Sequence, residues 1–189
     1  MPPHDRAKLC LVAALVLFAN CLDLASTYLA SPDLANEWNI LERWLGLGWT
    51  GIIAAKVLGA WMAVVGYAYY LHHHTACYPA PGMNRSDFCR HFAFGRPAGW
   101  LEMQCHLPAR RHLWVSLGYF WAGMQLLVVW VAADNLLLLH GIVSPIRYYS
   151  ELSYHLIQSA VVASMVMLRF YTANYRRYCV LSQTVPAFD

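Results

Sequence analysis

Apolar residues fill four separated runs, about Leu9–Ala30, Trp49–Leu71, Leu113–Ala133 and Tyr149–Tyr171. Each is long enough to cross a hydrocarbon core of about 30 Å as an α-helix. Between them the pattern breaks. Ser31-Pro32 ends the first run, and Pro79, Pro81, Gly82, Gly95, Pro97 and Gly99 interrupt the connection from about His72 to His112, so no single long helix is expected there. The pattern predicts an all-α, four-helix transmembrane bundle that takes up residues 1–189 as one integral membrane domain. In the first connection Leu34, Trp38, Leu41 and Leu45 would share one face of a short helix lying along the membrane surface, with Trp38, Trp44 and Trp49 as interfacial anchors. In the second, Phe92, Phe94, Trp100 and Leu101 are expected to rest on the inner membrane surface. On the second helix Gly59, Ala63 and Gly66 form a small-residue stripe suited to close helix packing.

Composition agrees with this pattern. The chain is 59% hydrophobic and 12% charged, against about 25% charged in an ordinary soluble domain. Arg6 and Lys8 before an apolar run also fit a signal peptide. The run continues to Ala30 without a clear small-residue cleavage site, so it is expected to remain as a helix. A lipoprotein site at Cys21 is disfavoured because Asn20 precedes it. Lys and Arg are divided unevenly among the connections. Arg6 and Lys8 precede the first helix, Arg85, Arg90, Arg96, Arg110 and Arg111 lie in the second connection, and Arg176 and Arg177 follow the fourth helix. The first and third connections hold only Arg43 and Arg147. This bias predicts cytoplasmic N- and C-termini and a cytoplasmic second connection. The net charge of +3 follows from that asymmetry beside an anionic leaflet, so membrane lipids, and no nucleic acid, are the implied contacts.

Charges inside the apolar runs give the candidate chemistry. A charged side chain in a bilayer core costs roughly 2.5 kcal/mol or more, so it normally has a partner, a cavity or a function. Asp23 lies about 21 Å along a helix counted from Leu9, and Lys56 about 10 Å along a returning helix counted from Trp49, which puts them at nearly one level. Asn20, Asp23 and Thr27 share one helical face. Under the predicted orientation, Glu37, Asn39, Asp134, Asn135, His140, Glu151, His155 and Gln158 also fall in the outer half of the bundle or just above it. Two readings follow. These residues line a ligand-binding cavity, or they are a structural polar core joining the helices through ordinary hydrogen bonds.

Metal binding is a further expectation. Glu151 and His155 stand one turn apart, and with Asp134 and Glu37 they could hold zinc, iron or manganese. Without a metal, Glu151 or His155 could act as a general base while Lys56 stabilises an anion. A second candidate centre lies in the cytoplasmic connection, where Cys77, Cys89, His91, Cys105 and His106 accompany His72, His73, His74 and His112. No Cys-x-x-Cys pair occurs, so neither a standard zinc module nor a four-helix thiol oxidoreductase is indicated. The alternative is a basic, His-containing surface loop. If the connection faced an oxidising compartment, two of Cys77, Cys89 and Cys105 could form a disulfide.

The residues Asn20, Asp23, Thr27, Glu37-Trp38-Asn39 and Lys56 resemble a family of small bacterial and archaeal membrane proteins known as a domain of unknown function. Its pattern is an Asn, an Asp three residues on, a Thr near the helix end, then Glu-x-Asn-Pro and a Lys in the second helix. Ile40 stands where the family has Pro. The resemblance covers roughly the first third of the chain. It implies only that these polar positions belong together, and no activity. Separately, the apolar runs and the charge bias lead to the expectation of an integral protein of a bacterial inner (plasma) membrane. Two functional classes remain open. The outward-facing pocket binds or processes a small polar ligand, a metal ion or a lipid headgroup, or the protein is a non-catalytic subunit of a larger membrane complex or a homo-oligomer.

Overall fold

The computed structural model describes residues 1–34, 46, 48–97, 99, 105–142 and 151–184. Among them are four long helices, α1 (Pro3–Ala30), α2 (Gly48–His73), α4 (Arg110–Leu139) and α5 (Glu151–Thr184), and one short helix, α3 (Arg85–Phe94). A 3-10 turn at His74–Cys77 follows α2. The four long helices are long and apolar enough to cross a membrane. Their outer faces suit lipid, with Leu15 and Phe18 of α1, Val57 and Trp61 of α2, and Leu168 of α5 all exposed. In such a solvent, helices satisfy their own backbone polar groups, which a connection could not.

Every long helix exceeds its apolar run, and α5 reaches Thr184 rather than stopping near Tyr171. Hydropathy marks only the part of a helix that lies in hydrocarbon. Packing sustains the rest, because Phe170, Asn174 and Tyr178 recur on one buried face of α5.

Helix α4 is the hub, packing against α1, α2 and α5. It runs parallel to α1, since Asn20 bonds to Gln125 and Thr27 to Asn135. It runs antiparallel to α2 and α5. The α2–α4 crossing is set by two glycines. A Cβ on Gly66 would stand 2.9 Å from the Gly118 Cα, and one on Gly118 would collide with the Gly66 carbonyl. Of the small-residue stripe, Ala63 is also fully buried, whereas a Cβ at Gly59 would meet nothing.

The second connection folds back onto the bundle. Asn84 caps α3 by accepting from the Asp87 amide at 3.0 Å, and Gly95, at φ 78°, closes the helix with a bond to the His91 carbonyl. Phe92 does not rest on a membrane surface. It is buried against Phe88 (5.3 Å between ring centroids) and Phe170 (5.2 Å), in a cluster with Tyr70, Cys77, Val115 and Tyr178. Aromatic burial against α5 outweighs interfacial placement because those rings lose water entirely. The Tyr178 hydroxyl donates to the Ala80 carbonyl at 2.7 Å and accepts from the Met83 amide at 2.9 Å, which pins the Pro-rich stretch. Trp100, Leu101 and the surface helix expected over Leu34–Leu45 lie outside the described residues, apart from Leu34 itself.

This packing gives the bundle a basic end, where α1 and α4 begin and α2 and α5 finish, and an opposite end toward which the polar residues within the apolar helices are displaced.

Candidate functional site

Polar residues of α1 occupy successive turns and meet a different helix at each. At Asn20, the side-chain amide donates to the Val16 carbonyl at 2.8 Å and to Gln125 Oε1 at 2.9 Å on α4. One turn toward the opposite end, Asp23 Oδ2 is paired with Lys56 Nζ of α2. At Thr27, Oγ1 accepts from Asn135 Nδ2 at 3.3 Å. Beside Asn135, the Asp134 carboxylate accepts from the Tyr154 hydroxyl of α5 at 2.7 Å. Gln158 lies one turn from Tyr154 toward the basic end of α5, at the level of Asp23, and is buried.

Asp23 and Lys56 therefore meet as depth counting predicts. The Asp23 side chain is 4% exposed and that of Lys56 18%. The Lys56 side chain keeps some access to the surroundings along its long stem, while the carboxylate has almost none. The pairing leaves one acceptor over, because Asp23 Oδ1 has no hydrogen-bond partner. Gln158 Nε2 is in the same condition, a buried donor without an acceptor. Each such group costs about 1–3 kcal/mol relative to a satisfied one.

The other predicted residues are distributed as follows. His155 is half-buried, its ring edge-on to Tyr154 at 5.2 Å. His140 is exposed at the end of α4 and donates Nδ1–H to the Leu136 carbonyl of its own helix. Glu37, Asn39 and the side chain of Glu151 lie outside the described residues, and with them the Glu151–His155–Asp134 metal grouping. Tyr154 and Gln125 were not predicted. Gln125 had a signal, as a lone amide in a long apolar run. Tyr154 had only its i, i+4 relation to Gln158.

The Cys/His residues of the second connection do not assemble. Among the described residues, no three His, Cys, Asp or Glu side chains are placed to share a metal ion. All six cysteines are free thiols, so the disulfide alternative is not realised. Cys77 is buried in the aromatic cluster, Cys89 is half-buried and Cys105 is exposed. Burial pushes the Cys89 thiol upward, outweighing the opposing pull of Arg85, so this thiol is poorly disposed to ligate as a thiolate. The His91 ring lies 6.1 Å from that of His112. Burial, and next the neighbouring His112, lower the affinity of His91 for a proton. His112 is oriented by donating Nδ1–H to the Phe92 carbonyl at 2.9 Å.

A second buried polar centre lies at the basic end and was missed from the sequence. Asn174 Oδ1 accepts from the hydroxyls of Tyr70 at 3.2 Å and Tyr78 at 3.1 Å, while its amide donates to the Phe170 carbonyl at 2.8 Å. Next to it, His74 Nδ1–H donates to the Tyr70 carbonyl, which leaves Nε2 to accept from Arg177 at 2.8 Å. The Asn174 amide and both ring nitrogens of His74 are engaged, so the group reads as a structural clasp.

Fold and site together define an all-helical bundle whose four long helices are apolar enough to cross a membrane, with a layer of polar residues between them. No family model, curated protein or solved structure matches the chain.

Proposed function

We propose that the protein sits in the plasma membrane with its basic end in the cytoplasm, and that the layer of Asp23, Lys56, Thr27, Asp134, Asn135 and Gln158 is an outward-facing pocket for a small polar ligand, an ion or a lipid headgroup. The observation that carries this reading is the unpaired acceptor on Asp23 together with the unpaired donor on Gln158, both buried and at one level. A purely structural core would gain by satisfying or removing these atoms, whereas a ligand bearing both a donor and an acceptor completes them. In this reading Glu37 and Asn39 cover the entrance, and Glu151 and His155 handle protons or contribute ligand contacts near it.

The test begins with gentle purification from native membranes, followed by analysis of bound metals, small molecules and co-purifying subunits in one sample. The same analysis is made on Gln158→Leu. A stoichiometric ligand or ion that the variant loses supports the pocket. A wild type that carries none, a variant that is simply more stable, and a fixed set of partner polypeptides would instead identify an accessory subunit of a larger complex.

A further inference from the structure

A different region of the molecule, outside the polar layer, also has the form of a binding site. Helices α1 and α5 pack on opposite flanks of α4 and barely touch each other. The space between them is a groove of about 990 Å³, at the upper end of the roughly 300–1,000 Å³ typical of small-molecule sites. Ala122 and Gly123 of α4 lie on its floor, with Val166 of α5 packed over Gly123. Val12, Leu15 and Phe18 of α1 form one wall, with Leu126, Val129 and Met165 opposite.

The two ends of the groove differ. Toward the basic end it is rimmed by Arg85, Arg169, Thr172 and Arg176. Arg169, Thr172 and Arg176 follow at i, i+3 and i+7 on one face of α5. Arg85 reaches the same rim from α3, its guanidinium donating to Thr172 Oγ1 at 3.1 Å. All three arginines are exposed, and none forms an ion pair with a carboxylate among the described residues. Counting from Ser153, Arg169 lies about 24 Å along α5, about 6 Å short of the far edge of a core about 30 Å thick, a depth from which a long arginine stem reaches the headgroups.

Three guanidiniums with no carboxylate partner among the described residues, above an apolar shaft, match one occupant by charge and shape. We infer that the groove holds an anionic diacyl phospholipid drawn from the leaflet at the basic end. Its phosphate is bound by Arg85, Arg169 and Arg176, Thr172 donates to a phosphate oxygen, and an acyl chain lies along Leu15, Phe18 and Val129. Guanidinium groups suit this role because they present paired donors to phosphate oxygens. Each basic residue near an anionic headgroup contributes about fivefold to the affinity, hence roughly a hundredfold for three.

The experiment titrates the full-length protein in detergent with equal amounts of phosphatidylglycerol and phosphatidylcholine, and counts bound lipids by native mass spectrometry. One phosphatidylglycerol per chain is expected to be retained in preference to phosphatidylcholine. In the triple variant Arg85→Gln, Arg169→Gln, Arg176→Gln, that preference should fall by about two orders of magnitude. Val129→Trp fills the shaft without altering the arginines and should expel the lipid even if the triple variant fails to fold. Equal retention of the two lipids would overturn the assignment and make this an ordinary annular position. Unchanged selectivity in the triple variant would overturn it too. So would a photo-crosslink from Leu126 to a second copy or another polypeptide, which would make the occupant a helix.

Discussion

Replacing Lys56 with Met keeps the length and the apolar stem of the side chain and deletes the ammonium that Asp23 pairs with. The carboxylate is 4% exposed and Oδ1 already lacks a partner, so the variant leaves a buried charge with neither oxygen paired. Breaking a buried ion pair from one side typically costs 3–5 kcal/mol. The residual access around Lys56 places the expected loss near the lower bound, about 3 kcal/mol. That is well above the average of about 0.6 kcal/mol for an interhelical hydrogen bond in a membrane. Replacing both partners, in Asp23→Leu with Lys56→Met, removes the charge and its desolvation together, and such replacements are often neutral or stabilising. Reversible unfolding in mixed detergent and SDS micelles, carried through a double-mutant cycle, measures each step. The double variant should recover most of the loss, with a coupling of about 2 kcal/mol or more. A Lys56→Met cost near 0.6 kcal/mol, or losses that simply add in the double variant, would refute the view of Asp23 as a carboxylate dependent on this one partner.

Three further predictions follow from other parts of the fold. Gly118→Ala should destabilise the α2–α4 crossing by about 1–3 kcal/mol, because its Cβ meets the Gly66 carbonyl, while Gly59→Ala, which meets nothing, should be neutral in the same unfolding assay. Asn174→Leu should cost about 1–3 kcal/mol by leaving the Tyr70 and Tyr78 hydroxyls without their shared acceptor, and hydrogen exchange should then rise at the Met83 amide as the clasp loosens. His91 binds its proton less readily folded than unfolded, owing to burial and then to His112. Below its ordinary pKa of about 6.5 the unfolded chain therefore takes up the extra proton, so stability should be full above that pH and decline as pH falls through it. An acid-side slope that persists unchanged in His91→Gln would show that another group is responsible.

Much of this architecture was legible in the sequence because a bilayer imposes a simple rule on composition. Long apolar runs mark helices, and a charge inside one stands out. Asp23 and Lys56 could be matched by counting rise per residue, since both depths are measured along rigid rods from recognisable ends. Asp134, Asn135 and Gln158 were visible for the same reason. The aromatic cluster at the basic end was not. Phe88 and Phe92 sit in a connection whose composition resembles a loop, and their partners Phe170 and Tyr178 lie in or beyond the part of α5 that hydropathy marks. Even so, Asn84 three residues before Asp87, with Gly95 beyond the last turn, is a legible helix signature for α3. Tyr154 was hidden because tyrosine near the end of a membrane helix is ordinarily an interfacial anchor. Only the position of Asp134 opposite it makes it a partner in the polar layer.

Because α4 is the hub, the order in which the chain leaves the ribosome determines which polar groups can be satisfied early. Asp23 and Lys56 both belong to the first helical hairpin, so their opposite charges can enter the lipid as a neutralised pair before α4 has been synthesised. Asn20 and Thr27 gain Gln125 and Asn135 only when α4 arrives. Asp134 must then wait for α5 to supply Tyr154. The polar layer is therefore completed in stages, and a pause in translation between α4 and α5 would delay the Asp134–Tyr154 contact until the last helix enters.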